Sequence, residues 1–364
     1  MNPTRQLHDL GQSVWLDNIT RGILNDGTLK RYIDEHHVTG LTSNPTIFDK
    51  AISDGSDYDE AISERVAQGE SGEELFFELA LQDLRRAADL FKPAFHASGG
   101  KDGFVSLEVS PLLADDSHAS IESAVALHLK ARRDNLFIKI PGTRSGIPAI
   151  EEAIYRGIPI NVTLLFSREQ TLAAADAWMR GIERRIDEGF DPNVDSVVSL
   201  FVSRWDVAVA DKVPAELKDR LGIAISQRTW KAWCEFRETP RWKKIVAAGA
   251  HPQRLLWASS GTKDPKASDT LYVEALAAPG TINTIPDKTL LAFADHGKLH
   301  GTMPKDGGDC EQVIAQFNAA GIDDAALASQ LQREGAEKFV KSWNDLLGRI
   351  DQKSAKLEPK AAGR

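Results

Sequence analysis

The chain has 364 residues, 42% hydrophobic and 27% charged, a balance that supports a large packed core and excludes disorder as the default. A formal net charge of -9 without basic blocks argues against nucleic acid or an anionic membrane as partner, so any phosphate site has to be local. The two cysteines, Cys234 and Cys310, lie far apart with no His or Cys at ligand spacing, which excludes a disulfide scaffold and a zinc centre and fits a reducing cytoplasm.

The start of the chain lacks the apolar stretch of a signal peptide, and no run approaches the roughly 18 apolar residues of a membrane span. About eight short β-rich runs follow, over 14–19, 38–44, 104–110, 136–142, 158–166, 196–203, 254–261 and 281–286. Segments with helical spacing separate them. After Ser120, read as an N-cap, Ile121, Val125 and Leu129 form one stripe. Repeated strand-helix alternation with a count near eight predicts an α/β protein, a (β/α)8 TIM barrel with additional covering helices. The alternative is an open doubly wound sheet, but its Gly-x-Gly-x-x-Gly turn is absent, as is a P-loop. Residues 206–250 are rich in helix formers and carry Trp230, Trp233 and Trp242, read as packing between helices. Residues 1–350 are expected to form one barrel domain including C-terminal covering helices, and 351–364 a polar, frayed tail.

In a barrel the reactive groups belong at the carboxyl ends of the strands, and the polar misfits of this sequence fall there. Asp17 ends Val14-Trp15-Leu16 in the first run and Thr42 with Asn44 end the second; Glu108 lies in the third, Asn161 and Thr163 in the fifth and Ser199 in the sixth. Strand side chains alternate, so Thr42 and Asn44 share a face, as do Asn161 and Thr163. Asn44 precedes Pro45, where a capping or turn role is equally natural.

Lys139 is the costliest of these residues, a cation inside Asn135-Leu136-Phe137-Ile138-Lys139-Ile140-Pro141-Gly142. A strand lysine can reach out to water. A buried one is pressed to give up its proton, by roughly 3 to 5 pKa units in fully buried sites. At an ordinary pKa of about 10.4, about one lysine in a few thousand is neutral at pH 7, against about one in ten at a pKa of about 8. A neutral amine is a nucleophile for carbonyl carbon. With two carboxylates and several amide and hydroxyl groups on neighbouring strand ends, the parts are those of Schiff-base chemistry on a hydroxylated substrate.

Leu255-Leu256-Trp257-Ala258-Ser259-Ser260-Gly261-Thr262-Lys263-Asp264-Pro265 admits two readings. It is an anion cradle leading into a helix capped by Asp264 and opened by Pro265, with Lys263 adding charge, or it is an ordinary capped loop. Its place after the seventh strand is where barrels commonly bind phosphate. Arg204, just past the sixth strand, is a second candidate for bidentate phosphate contact.

Leu41-Thr42-Ser43-Asn44-Pro45, Ser106-Leu107-Glu108-Val109, Phe137-Ile138-Lys139-Ile140-Pro141-Gly142-Thr143 and Asn161-Val162-Thr163-Leu164-Leu165-Phe166-Ser167 occur in the order and at the separations of the transaldolase family. The sequence resembles that family from about Val14 to Pro265, with weaker support over 340–347. The resemblance implies a cofactor-independent class I barrel enzyme of the pentose phosphate pathway. Its reaction moves a dihydroxyacetone unit between sugar phosphates, from sedoheptulose 7-phosphate plus glyceraldehyde 3-phosphate to erythrose 4-phosphate plus fructose 6-phosphate. By the same resemblance Lys139 is the Schiff-base lysine and Asp17 the acid/base at the sugar hydroxyl. Glu108 acts through a water that Thr163 positions, Asn44 and Asn161 hold hydroxyls, and Thr42 and Ser199 line the site. Better-known members place an arginine two residues beyond the serine equivalent to Ser259. Here that position is Gly261, so Lys263 is expected to supply the charge beside Arg204 and Ser259.

The closest alternative is a class I fructose 6-phosphate aldolase-like lyase. Those chains are much shorter and tend to carry tyrosine where this one has Phe201. A silent sugar-phosphate-binding barrel has no reason to keep Lys139, Asp17 and Glu108 together. The expected partners are small sugar phosphates, not nucleic acid or membrane, for a monomer or homodimer.

Overall fold

The computed structural model describes residues 2–53 and 55–357. Among these, each of the eight runs contains a strand: β1 Ser13–Leu16, β2 Val38–Leu41, β3 Val105–Glu108, β4 Leu136–Pro141, β5 Ile160–Leu165, β6 Ser196–Phe201, β7 Arg254–Ala258 and β8 Ile282–Ile285. All ladders are parallel and the order is β2-β1-β8-β7-β6-β5-β4-β3. The two ends meet where Leu41 N–H donates to Phe104 O at 2.9 Å and Ser43 Oγ to Ser106 O at 2.7 Å, giving a nearly closed (β/α)8 TIM barrel. Below this seam Asp102 accepts from Trp15 Nε1 and Thr39 Oγ1, both at 2.8 Å.

Alternation along the strands sorts the side chains into layers. Val14, Leu16, Ile138, Ile140, Ile160, Val162, Val198 and Leu200 point outward into the main core under the helices. The inward set begins with an apolar plug of Trp15, Phe104, Phe137, Val197, Leu256, Ala258 and Ile282. Above the plug it turns polar, with Thr42, Glu108, Lys139, Asn161, Thr163, Ser199 and Thr284 all buried. The apolar cluster occupies the lower barrel and continues up β7 through Leu256 and Ala258, and the polar layer faces the mouth.

Two irregularities shape that mouth. At the seam β2 carries an extra residue against β1, between the pairs Val14 with Val38 and Trp15 with Gly40. A Cβ on Gly40 would sit 2.6 Å from both Phe104 O and Trp15 Cε2, so β2 can approach this closely only through glycine. In β5 the register shifts between Val162 and Leu165, so Thr163 and Leu164 together face Ser199. Leu164 takes a left-handed φ of 57°, a bulged backbone that is rare and costly for a bulky residue. Its side chain leaves the main core for a second cluster with Phe166, Trp205 and Leu331.

The helix after β3 differs from its sequence reading. It spans Ser117–Ala131, with Asp116 rather than Ser120 as N-cap, accepting from Ala119 N–H at 2.9 Å. Ser120 is inside the helix, its hydroxyl bonded to Leu113 O. The buried face is Ile121, Ala124, Leu127 and Ala131, while Leu129 is 67% exposed. The stripe at strict i+4 spacing drifts off the core because 3.6 residues complete a turn. Trp230, Trp233 and Trp242 pack as expected: all three are buried, and Trp242 lies 5.7 Å from Trp233 and 5.1 Å from Trp178 between ring centroids.

The C-terminal helix Asp324–Leu357 has 34 residues, about 51 Å at 1.5 Å per residue. It includes 351–357, so the frayed tail expected from Asp351 onward does not begin there; 358–364 lie outside the described residues. Lys353 Nζ bonds Asp59 Oδ1 at 2.6 Å, and Trp343 packs edge-on to Phe76 at 4.9 Å, which holds this polar stretch against the helices beside β2. No helix among the described residues is long and apolar enough to cross a membrane.

Gly40→Ala is expected to destabilise the fold by about 1–3 kcal/mol, the usual cost of forcing an extra carbon into a packed site. Urea unfolding measures it, and an unchanged midpoint would show that the seam can relax.

Candidate active site

The carboxyl ends of the strands open into a cavity of about 570 Å³. Its wall contains Asp17, Thr42, Asn44, Lys139, Thr163, Ser199, Arg204 and Ser259. Glu108, Asn161 and Lys263 are not part of that wall. The first two lie buried beside it, and Lys263 is exposed.

Register explains the central group. Glu108 pairs with Lys139 and Lys139 with Asn161 across β3, β4 and β5, so the three side chains point inward in one row. Lys139 is 5% exposed. Its Nζ donates to Ser43 O at 2.9 Å and lies 3.4 Å from Glu108 Oε2. The amine therefore does not reach for bulk water; it stays at the cavity wall, held by a backbone carbonyl and a carboxylate. Burial pushes the Glu108 carboxyl above its ordinary range, with Lys139 pulling the other way. Apart from the Lys139 contact, neither Glu108 oxygen has a hydrogen-bond partner among the described residues, and neither does the buried Thr163 Oγ1. Buried polar atoms in this condition are where ordered water is bound.

Asp17, at the end of β1, accepts from Thr42 Oγ1 at 2.9 Å. Thr42 Oγ1 is also 2.7 Å from Thr284 Oγ1. A hydroxyl has one proton, so with Thr42 donating to Asp17, Thr284 donates to Thr42. Burial raises the Asp17 carboxyl above its ordinary range, while Lys139, Thr42 and Lys263 act to lower it. A carboxylate so placed is a stronger base than a solvated one.

Asn161 and Asn44 are more constrained than their sequence reading implied. Asn161 spans three strands, donating to Ser106 Oγ at 3.1 Å and accepting from Ser199 Oγ at 2.7 Å. That leaves one amide N–H. Asn44 Oδ1 accepts from Ile47 N–H at 3.1 Å, capping the helix Pro45–Ser53, while the residue also lines the cavity. The capping role is therefore present, on a residue that also faces the cavity.

The segment after β7 follows the second of its two readings, a loop, and not the helix start. No helix starts at Pro265. Asp264 Oδ1 accepts from Lys266 N–H at 2.8 Å and Thr262 Oγ1 donates to Ser268 O at 2.7 Å, so side-chain to backbone bonds close turns in place of a helical cap. The next helix, Leu271–Ala275, has only five residues. What remains for an anion is side-chain chemistry. Ser259, at φ 57°, has its Oγ 3.0 Å from Ser203 Oγ, and Arg204 follows directly. A Cβ on Gly261 would lie 3.7 Å from Lys263 Nζ, so the ammonium sits close to where a side chain at 261 would begin.

Several wall residues have no counterpart among the sequence candidates. Thr284 was legible as a polar residue at an inward position of the eighth run. Lys50, Asp57 and Asp287 come from loops and helices around the mouth, and Phe339 from the C-terminal helix; nothing in their local sequence marks them. The bond from Lys139 goes to the Ser43 carbonyl, which every residue type carries.

The chain matches the sequence model of the transaldolase/fructose-6-phosphate aldolase family over residues 14–350. It belongs to that family. The match extends well beyond Pro265, through most of the C-terminal helix. The chain is 43% identical to a transaldolase of Arthrobacter sp. (strain FB24) over 358 residues, 96% of each chain. It is 43% identical to a transaldolase of Frankia alni (strain DSM 45986 / CECT 9034 / ACN14a), covering 96% of this chain and 97% of that one. With a transaldolase of Thermobifida fusca (strain YX) it shares 42% identity over 97% of this chain and 99% of the other.

Asp17→Asn is expected to abolish turnover and stabilise the fold. Burial is the largest influence on Asp17 and raises its folded pKa, so the wild type loses stability as pH rises through that value, and the variant does not. The gain, about 0.5–2 kcal/mol, the usual size of a single stabilising substitution, should appear at about pH 8 and vanish at about pH 3, where wild-type Asp17 is protonated in both states. Urea melts of both proteins at the two pH values check this; a gain equal at both would mean burial is not the cause.

Proposed function

We propose that the chain is a transaldolase, an enzyme that transfers a dihydroxyacetone unit between sugar phosphates through a Schiff base on Lys139. The observation that carries the reading is the buried Lys139 amine at a cavity wall, 3.4 Å from Glu108, with Asp17 on a neighbouring part of the same wall. Transaldolase relatives at 40–43% identity over almost the full chain support transfer rather than simple cleavage, as does Phe201 in the cavity wall.

The Lys139 amine attacks the ketose carbonyl of the donor, fructose 6-phosphate or sedoheptulose 7-phosphate, and the adduct loses water to give a protonated imine. Glu108, through a water held by Thr163, moves the protons of that step. Their buried oxygens, without a hydrogen-bond partner among the described residues apart from the Lys139 contact of Glu108, suit that role. Asp17 takes the proton of the hydroxyl two carbons beyond the imine carbon, the carbon-carbon bond breaks, and the aldehyde leaves. The electron pair is stored as an enamine on Lys139. Addition to the acceptor aldehyde returns the proton from Asp17, and water releases the new ketose. Asn44 and the remaining N–H of Asn161 hold hydroxyls of the three-carbon unit, with Thr42 and Ser199 completing the wall. Arg204, Ser259 and Lys263 bind the phosphate. The reading needs no cofactor or metal. It includes a cytoplasmic location and a monomer or homodimer.

Borohydride reduction in the presence of fructose 6-phosphate should leave a three-carbon adduct on Lys139 by peptide mapping. An adduct on another lysine, or none, sinks the mechanism. Free dihydroxyacetone released without erythrose 4-phosphate as acceptor would instead identify a lyase.

Lys263→Ala should raise KM for the phosphorylated substrates roughly tenfold, about 1.4 kcal/mol of lost charge-assisted bonding, with kcat little changed. Unchanged KM values would remove Lys263 from the phosphate site.

A further inference from the structure

The strained backbone beside Thr163 has a dedicated partner on a distant element. In the β5 bulge, Thr163 and Leu164 face the single residue Ser199, which takes the Leu164 carbonyl out of the regular ladder. Gln332, on the C-terminal helix Asp324–Leu357, donates from its Nε2 to Leu164 O at 3.0 Å and to Gly142 O at 3.0 Å. Gly142 N–H in turn donates to Thr163 O at 2.8 Å. One side-chain amide thus uses both of its N–H groups to tie the residue after Thr163 to the residue directly after β4, the strand of Lys139. The helix approaches closely here: a Cβ on Gly335 would come within 2.9 Å of Leu164 Cδ2.

We infer that Gln332 is a positioning residue for the proton-transfer step at Lys139, holding the β5 bulge so that Thr163 Oγ1 stays directed at the water it shares with Glu108. This rests on the role given to Thr163 above. A non-glycine residue in the left-handed region is strained and persists only where surrounding contacts over-determine it. Removing the two donors leaves two carbonyls without a partner and frees Leu164 to relax, which rotates the adjoining Thr163. Imine formation and hydrolysis would slow, while donor binding, which depends on the phosphate and hydroxyl contacts, would not.

The test measures kcat, KM for fructose 6-phosphate and the rate at which the borohydride-trappable adduct forms, in Gln332→Leu, Gln332→Glu, Thr163→Val and Gln330→Leu. Gln330 lies on the same helix and donates from its Nε2 to Glu334 Oε1 at 2.7 Å, so its variant should match wild type. Gln332→Leu should lower kcat and the adduct rate together, roughly tenfold, with KM within about twofold. Gln332→Glu keeps the shape but has a donor only when protonated, so its kcat relative to wild type should rise as pH falls. That readout survives if the leucine variant folds poorly, and a role in stability alone would not produce it. A pH-independent ratio for Gln332→Glu overturns the inference. So does an adduct rate in Gln332→Leu that matches wild type while Thr163→Val is slow. If Thr163→Val itself forms adduct at the wild-type rate, the role given to Thr163 fails and the inference with it.

Discussion

The ion pair between Lys139 and Glu108 inside the barrel mouth is the constraint around which the site is built. Removing either charge from water costs several kcal/mol, and the pair is tolerable only where geometry and further bonds compensate. Here the compensation comes from in-register neighbours on β3 and β4 and from the Ser43 carbonyl on the loop after β2. The pair therefore depends on the seam where β2 meets β3, and on Gly40, which allows that approach. The apolar cluster beneath gives the pair a low-polarity floor. Burial that would be a liability elsewhere raises both carboxylates, Asp17 and Glu108, above their ordinary range, the direction that strengthens them as bases.

The second feature is the way strain is used. Leu164 and Ser259 both take left-handed backbone conformations, each at or next to a strand end that faces the cavity. At Leu164 the bulge turns one more side chain toward the covering helices and leaves Thr163 at the wall. The C-terminal helix completes the arrangement: Gln332 satisfies the freed carbonyls, Leu331 joins the cluster around Leu164, and Phe339 closes part of the cavity. A segment more than 150 residues beyond β5 is thereby part of the same structural unit as the chemistry, consistent with a family match that continues to residue 350.

The phosphate end is the least regular part of the site. The turn chemistry of Thr262, Asp264 and Ser268 won over the helix start that Asp264-Pro265 suggested, since these short polar side chains reach nearby backbone groups without helix formation. On the proposed reading the charge comes from Arg204 and Lys263, long side chains rather than backbone N–H groups of a helix start. The misread helix at Ser117–Ala131 has a similar cause. Asp116 and Ser120 are both acceptable caps by residue type, and which one caps is decided by where the preceding turn leaves the chain.

The sequence by itself determined the eight strands, their alternation with helices, the inward polar positions and the central trio of Lys139, Asp17 and Glu108. These follow from period-two alternation and from the cost of placing charge in apolar runs, both local properties of the chain. Only the tertiary structure decided that the Lys139 amine is enclosed rather than extended to water, because Ile138 and Ile140 face the opposite side and say nothing of its surroundings. The same holds for the carbonyl that receives it, the bulge that breaks alternation at Leu164, and the contribution of Phe339 and Gln332. Each depends on strand register or on contacts between residues far apart in the chain, and neither is written in any local pattern.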